Sequence, residues 1–203
     1  PDYRRQVRKW SGLVRNWEVY MHEVIGHGSG KPDPSLKDDP RNVIGRAFSA
    51  LEEARADLVA LYFMADPHLV SIGALPPQHH AEILETAYVS YFQGVLMLYR
   101  QFKSNIVKEA HWKGRQMIFT WLMAGGDSGK ADYGIEVQKK AGHYYVKVRD
   151  MWKLRKGLGD LLSKVQVIKA TGDKQAADKL IDAFGTRYSQ EWKKDIVSRA
   201  KKM

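Results

Sequence analysis

Apolar residues recur at helical spacing from the start of the chain. Val7, Trp10, Val14, Trp17, Met21 and Val24 step by three and four, which places them on one face of a long amphipathic helix. Ala47, Phe48, Leu51, Ala54, Leu58, Leu61 and Tyr62 mark a second helix in the same way. Pro76 and Pro77 open a third, with Ile83, Leu84, Ala87, Tyr88, Tyr91, Val95, Leu98 and Phe102 as its apolar members. A fourth, from about Ile106 to Met123, packs through Trp112, Met117, Ile118 and Trp121. Only one stretch alternates convincingly: Ile135-Glu136-Val137 and Tyr144 to Val148 flank Lys140-Ala141-Gly142, the pattern of a β-hairpin. Helices over about 150–170, 174–185 and 189–201 complete the chain, with Asp173 placed to cap the second of them. The pattern predicts a mainly α fold: a multi-helix lobe with one small β-hairpin, spanning 1–203 as a single unit.

Between the first two helices, Gly28 to Pro40 is rich in Gly, Pro and Asp and predicts a loop that folds the second helix back onto the first. Its Gly28-Ser29-Gly30-Lys31 is not a phosphate loop, because Ile25 stands where the first glycine is required and Pro32 follows the lysine. Gly125 to Gly134 forms a second polar break.

The first helix carries His22-Glu23-Val24-Ile25-Gly26-His27, and after 25 residues Glu53 follows on the second. Two His and one Glu are a known three-ligand set for a zinc ion that keeps a fourth position open. Glu23, next to the first His, is placed as the general base of an H-E-x-x-H helix is placed. The spacing is one residue longer than that motif. Histidines five apart on an α-helix diverge by about 140° around the axis. Both rings reach one ion only if the helix holds an extra residue, as in a π-bulge, with Gly26 the residue able to relax there. Glu53 and Asp57 share a face of the second helix, with Glu52 a step aside. One carboxylate can then bind the metal while others accept the free ring N–H of its histidines. His79 and His80 fall in the polar first turn of the third helix with no carboxylate paired to them, and are expected to face solvent.

These residues resemble the dipeptidyl peptidase III family of zinc metallopeptidases, whose signatures are H-E-x-x-G-H and E-E-x-R-[AS]-[DE]. Both are present, at His22 to His27 and Glu52 to Asp57. The likeness continues through Gly28 to Lys31, Ala110-His111 with Arg115, and Ile168 to Asp173. It implies His22, His27 and Glu53 as ligands of one Zn²⁺ per chain, Glu23 as general base, and Glu52 and Asp57 as supports of the ligating rings. His111 matches a family histidine that helps hold substrate and the developing oxyanion. Arg115 matches a neighbouring arginine and is a candidate substrate contact. The implied reaction releases dipeptides from the N-termini of short peptides. The family enzyme is a longer, two-lobed chain, so the resemblance also implies a missing lobe as partner. Pro1 in place of an initiator Met agrees with an excised piece.

Composition narrows the remaining classes. The 203 residues are 44% hydrophobic, with 6 Trp, 10 Tyr and 6 Phe, enough to bury a sizeable core and unlike a disordered chain. Cysteine is absent, which excludes disulfides and thiolate metal sites, suits a reducing compartment and points to a cytoplasmic location. No apolar run approaches the ~20 residues that span a bilayer. The net charge of +10 comes from dispersed basic residues, with runs at Arg4-Arg5, Lys139-Lys140, Lys193-Lys194 and Lys201-Lys202. Without a zinc knuckle or RNA-binding signature, a solvated surface is favoured over a nucleic-acid site. Two rival readings stay open: a zinc-holding scaffold without useful turnover, and a basic nucleic-acid-binding module.

Overall fold

The computed structural model describes residues 3–200, so Pro1 and the run Lys201-Lys202 lie outside it. Helices dominate, and the mainly α expectation holds. The first helix, α1 (Tyr3–Tyr20), passes without interruption into a π-helical segment, Met21–His27. After the Gly- and Pro-rich loop come α2 (Pro40–Ile44), a 3-10 turn at Gly45–Ala47 and α3 (Phe48–Phe63). A short α4 (His68–Ser71) and a 3-10 turn at Pro77–His79 lead into α5 (His80–Leu98) and then α6 (Ala110–Met123). The hairpin is β1 (Ile135–Lys140) with β2 (His143–Val148), and α7 (Met151–Thr171), α8 (Lys174–Phe184) and α9 (Gln190–Ala200) follow. Among the described residues, no helix is long and apolar enough to cross a membrane.

α3 is the hub, and its sequence explains why. Leu51, Ala54, Ala56, Leu58 and Leu61 surround its axis and are all within 1% of fully buried, as expected for a helix that is apolar nearly all round. Full burial of each leucine contributes roughly 1.5–3 kcal/mol. α3 packs on the π segment, α6 and α7, while α1 lies against α5. Two polar side chains of α3, Arg55 and Asp57, are buried along with the apolar ones.

Local chemistry fixes the ends of these elements. Asp39, Glu109, Asp150 and Asp173 each cap a helix by accepting backbone N–H groups of its first turn. Pro40 follows the first of them at a position that needs no N–H donor. The fourth helix therefore begins at Ala110, behind the Glu109 cap, rather than near Ile106. In the hairpin, Ala141 and Gly142 have φ of 50° and 80° and join Lys140 to its partner His143. Two positive φ values are the requirement of a type I′ turn, which matches the twist of the strands. Asp195 of α9 anchors the hairpin by accepting from Tyr144 N at 2.9 Å and His143 Nδ1 at 2.6 Å.

Three expectations are corrected. Val24 is 71% exposed although regular stepping puts it on the buried face. The π segment inserts a residue, so the register rotates after Met21 and Gly26 turns inward instead. His79 and His80 are both half-buried: the first packs against Trp10 at 4.9 Å and pairs with Glu82, and the second bonds through Nε2 to Met64 O at 2.9 Å. The carboxylate that pairs with His79 is one helical turn away, which the sequence spacing alone does not rank.

Candidate metal centre

The π segment brings the two histidines together. With the extra residue between them, the rings of His22 and His27 stand edge to face with centroids 4.8 Å apart. Glu53 projects from α3 toward both: its Oε2 lies 3.3 Å from His22 Nε2 and 3.8 Å from His27 Nε2. Ligating atoms of these three side chains all fall within 4.8 Å of one another, the only such His/Cys/Asp/Glu group among the described residues.

Gly26 makes this approach possible by having no side chain. A Cβ there would sit 2.8 Å from both Cα and Cβ of Ala56 on α3. Its φ is not left-handed, so close packing and not backbone freedom requires the glycine. Gly114 does the same for α6, where a Cβ would lie 2.9 Å from Ala54 N and 3.0 Å from Ala50 O. That contact carries His111 and Arg115, on the same helix, to the carboxylates of α3.

Each histidine is held from behind. His22 Nδ1 lies 2.8 Å from Asp57 Oδ1, and His27 Nδ1 lies 3.2 Å from Glu52 Oε1. With Nδ1 donating to a carboxylate, Nε2 carries a lone pair directed at Glu53. Two imidazole lone pairs and a carboxylate oxygen thus converge, and Glu53 Oε2 is buried with no hydrogen-bond partner. An arrangement of acceptors without a donor is unfavourable unless a cation or proton enters it. Tetrahedral zinc ligands at ~2.0–2.1 Å from the ion stand roughly 3.3 Å apart, close to the separations from Glu53. The residues therefore fit the metal that the sequence implies.

The supporting carboxylates are themselves supported. Arg55 reaches Glu52 through Nε at 2.9 Å and Nη2 at 2.7 Å, and Lys169 of α7 meets Glu52 Oε2 at 2.9 Å. The same guanidinium, fully buried, bonds to Ser29 Oγ at 3.2 Å and to the carbonyl of Gly26. It thereby ties α3 to the π segment. Burial alone would push the Glu52 carboxyl up, but the hydrogen bonds from Arg55 and Lys169, with the Arg55 charge and His27, hold it at about 2. Asp57 accepts from Tyr91 OH at 2.8 Å and Arg115 Nε at 3.3 Å. Burial lowers the His22 pKa, and the hydrogen bond and charge of Asp57, with the charges of Glu53 and Glu23, outweigh it and leave it raised.

His111 stands in the first turn of α6, where Glu109 Oε1 lies 2.9 Å from its Nδ1. Its Nε2 is 3.0 Å from Glu53 Oε2, and that oxygen makes no hydrogen bond. Glu23, exposed and adjacent to His22, lines a cavity of about 430 Å³ together with His22, His111 and Arg115. The eight residues singled out from sequence are thus brought to one place. Arg55, Tyr91 and Lys169 are the contributors that sequence reasoning left without a role. Arg55 and Lys169 lie within the stretches that carry the resemblance, and Tyr91 reads from the sequence only as an apolar step of a helix.

Known proteins share this chain's pattern. Dipeptidyl peptidase 3 of Dictyostelium discoideum is 26% identical over 232 residues, covering 91% of this chain and 32% of that protein. The protein of the same name from Rattus norvegicus is 22% identical over 216 residues, covering 87% and 28%. The solved structure of DPP III from Caldithrix abyssi superposes with a TM-score of 0.68 at 26% identity, covering 92% of this chain and 32% of the other. The chain spans about a third of the length of these relatives. A model of the family described as Peptidase family M49 matches residues 35–203, which include Glu52, Glu53, Asp57, His111 and Arg115. With most of its length so matched, the chain belongs to peptidase family M49.

Proposed function

We propose that this lobe binds one zinc ion through His22, His27 and Glu53 and hydrolyses peptide bonds, releasing dipeptides from the N-termini of short peptides. The observation that carries the reading is the convergence of two imidazole Nε2 atoms on a buried Glu53 oxygen that has no hydrogen-bond partner. The relatives named dipeptidyl peptidase supply the reaction class. Bound at this site, zinc would supply Lewis acidity and make a water acidic enough to ionise near neutral pH.

The chain's own groups supply the rest. Glu23, exposed at the cavity beside His22, takes the proton from the attacking water and passes it toward the leaving amine. His111 lies across the cavity in a first turn stiffened by Glu109; with Nδ1–H held by that carboxylate, the ring protonated on both nitrogens can donate Nε2–H to the oxygen that gains charge. Arg115, fixed by Asp57, presents a cation on the same wall for a backbone carbonyl of the peptide. Asp57 and Glu52 hold the His22 and His27 rings in the tautomer that leaves Nε2 free.

The test is Glu23→Ala in the zinc-loaded protein at its full natural length. Zinc content should stay at the wild-type level while peptide turnover disappears. Turnover that survives the substitution removes Glu23 as the base.

A further inference from the structure

The cavity beside His22 is bordered by a carboxyl group that the proposed reaction does not use. Glu18 sits on α1 one turn ahead of His22 and borders the cavity. Its Oε1 is buried yet has no hydrogen-bond partner, and the carboxylate enters no ion pair among the described residues. Two arginines line the cavity and neither is paired with Glu18: Arg115 bonds to Asp57 and lies 5.6 Å from the Tyr91 ring centre, and Arg15, one turn before Glu18 on α1, is exposed. Burial, with the charge of Asp57, pushes the Glu18 carboxyl up to about 8, against the pull of Arg115. A buried carboxyl oxygen without a partner destabilises the fold. What complements it is a cationic donor entering from the cavity.

The cavity wall narrows the kind of cation. Val19, Ala60 and Leu61 give it an apolar side, while Glu18 stands at a polar one. Lysine and arginine side chains have this division, an apolar stem ending in a charged head. A small inorganic cation would gain nothing from the apolar side.

We propose that Glu18 is a specificity-determining residue that receives the ammonium or guanidinium of a basic side chain in the bound peptide. The assignment rests on the peptidase reading for its ligand, and it places a subsite for a charged side chain directly beside the proposed reaction centre. Charge-assisted hydrogen bonds formed out of bulk water are among the stronger contacts available to a side chain, so the selectivity should be large.

The experiment uses the zinc-loaded protein at full length and paired short peptides with free N-termini that differ only in carrying lysine or norleucine at one position in turn. At one position the wild type should favour lysine in kcat/KM by roughly 10-fold or more, and Glu18→Gln should collapse that ratio toward one. Glu18→Lys should invert it when glutamate replaces lysine in the peptide. An equal fall for both members of every pair, as expected if Glu18 held the peptide N-terminus or merely supported the fold, overturns the proposal. So does a wild type with no lysine preference at any position. Calorimetric binding of the same pairs separates the two readings: if no peptide is cleaved the peptidase assignment fails, while the lysine-to-norleucine affinity ratio still decides Glu18.

Discussion

Replacing Arg55 by methionine strikes the contact on which both halves of the metal centre lean. The guanidinium is fully buried and serves both oxygens of Glu52, the Gly26 carbonyl and Ser29 Oγ. Methionine fills much of the volume but leaves those acceptors without their donor. Breaking a buried ion pair from one side costs about 3–5 kcal/mol. The depressed Glu52 carboxyl reflects the same contacts. It lies at about 2 against an ordinary 4.5, which corresponds to roughly 3 kcal/mol of stability at neutral pH, shared among Arg55, Lys169 and His27. The sign follows from the depression: this stability is present above pH 4.5 and is lost as pH falls from there toward 2. Urea unfolding of the metal-free chain should therefore show a wild type that weakens over that acid range. Arg55→Met should be less stable at pH 7 and should lose less on acidification. Because Glu52 orients His27, zinc affinity measured by chelator competition should also drop, by roughly 10- to 100-fold. Stability within about 0.5 kcal/mol of wild type together with unchanged zinc affinity would refute the reasoning.

Three further outcomes follow from the same geometry. Gly26→Ala must push the π segment away from Ala56, and overpacking of this kind costs roughly 1–3 kcal/mol; thermal melting should register the loss, and zinc binding should weaken with it. Tyr91→Phe removes one donor from Asp57 and should cost about 0.5–1.5 kcal/mol in urea unfolding while zinc remains bound. The raised His22 pKa means that protons compete for Nε2 at and above the ordinary histidine value of 6.5. Zinc affinity should thus rise as pH climbs through that region, and a flat profile from pH 6 to 8 would exclude His22 as a ligand.

Much of this site was legible because two short segments carry most of its chemistry. The oversized His22–His27 spacing demanded an inserted residue, and the π segment supplies it. Long periodic runs mark α1, α3 and α5, and Lys140-Ala141-Gly142 marks the hairpin turn. What stayed hidden depends on which faces meet. The rotation that exposes Val24 and buries Gly26 is a consequence of the π insertion, and stepping by three and four does not carry it across that turn. The short helices α2 and α4 are too brief to show a period. Arg55 reads as a surface residue by type, and only the crowding of Glu52, Gly26 and Ser29 around it explains its complete burial. Tyr91 and Lys169 reach the carboxylates from distant helices, contacts that sequence separation conceals.

Zinc stoichiometry in the purified chain and in its His22→Ala, His27→Ala and Glu53→Ala variants tests the metal centre most directly. One zinc per wild-type chain, lost in each variant, is the predicted result. A wild type that retains no stoichiometric zinc from metal-supplemented buffer, or a Glu53→Ala chain that still holds one ion, would contradict it.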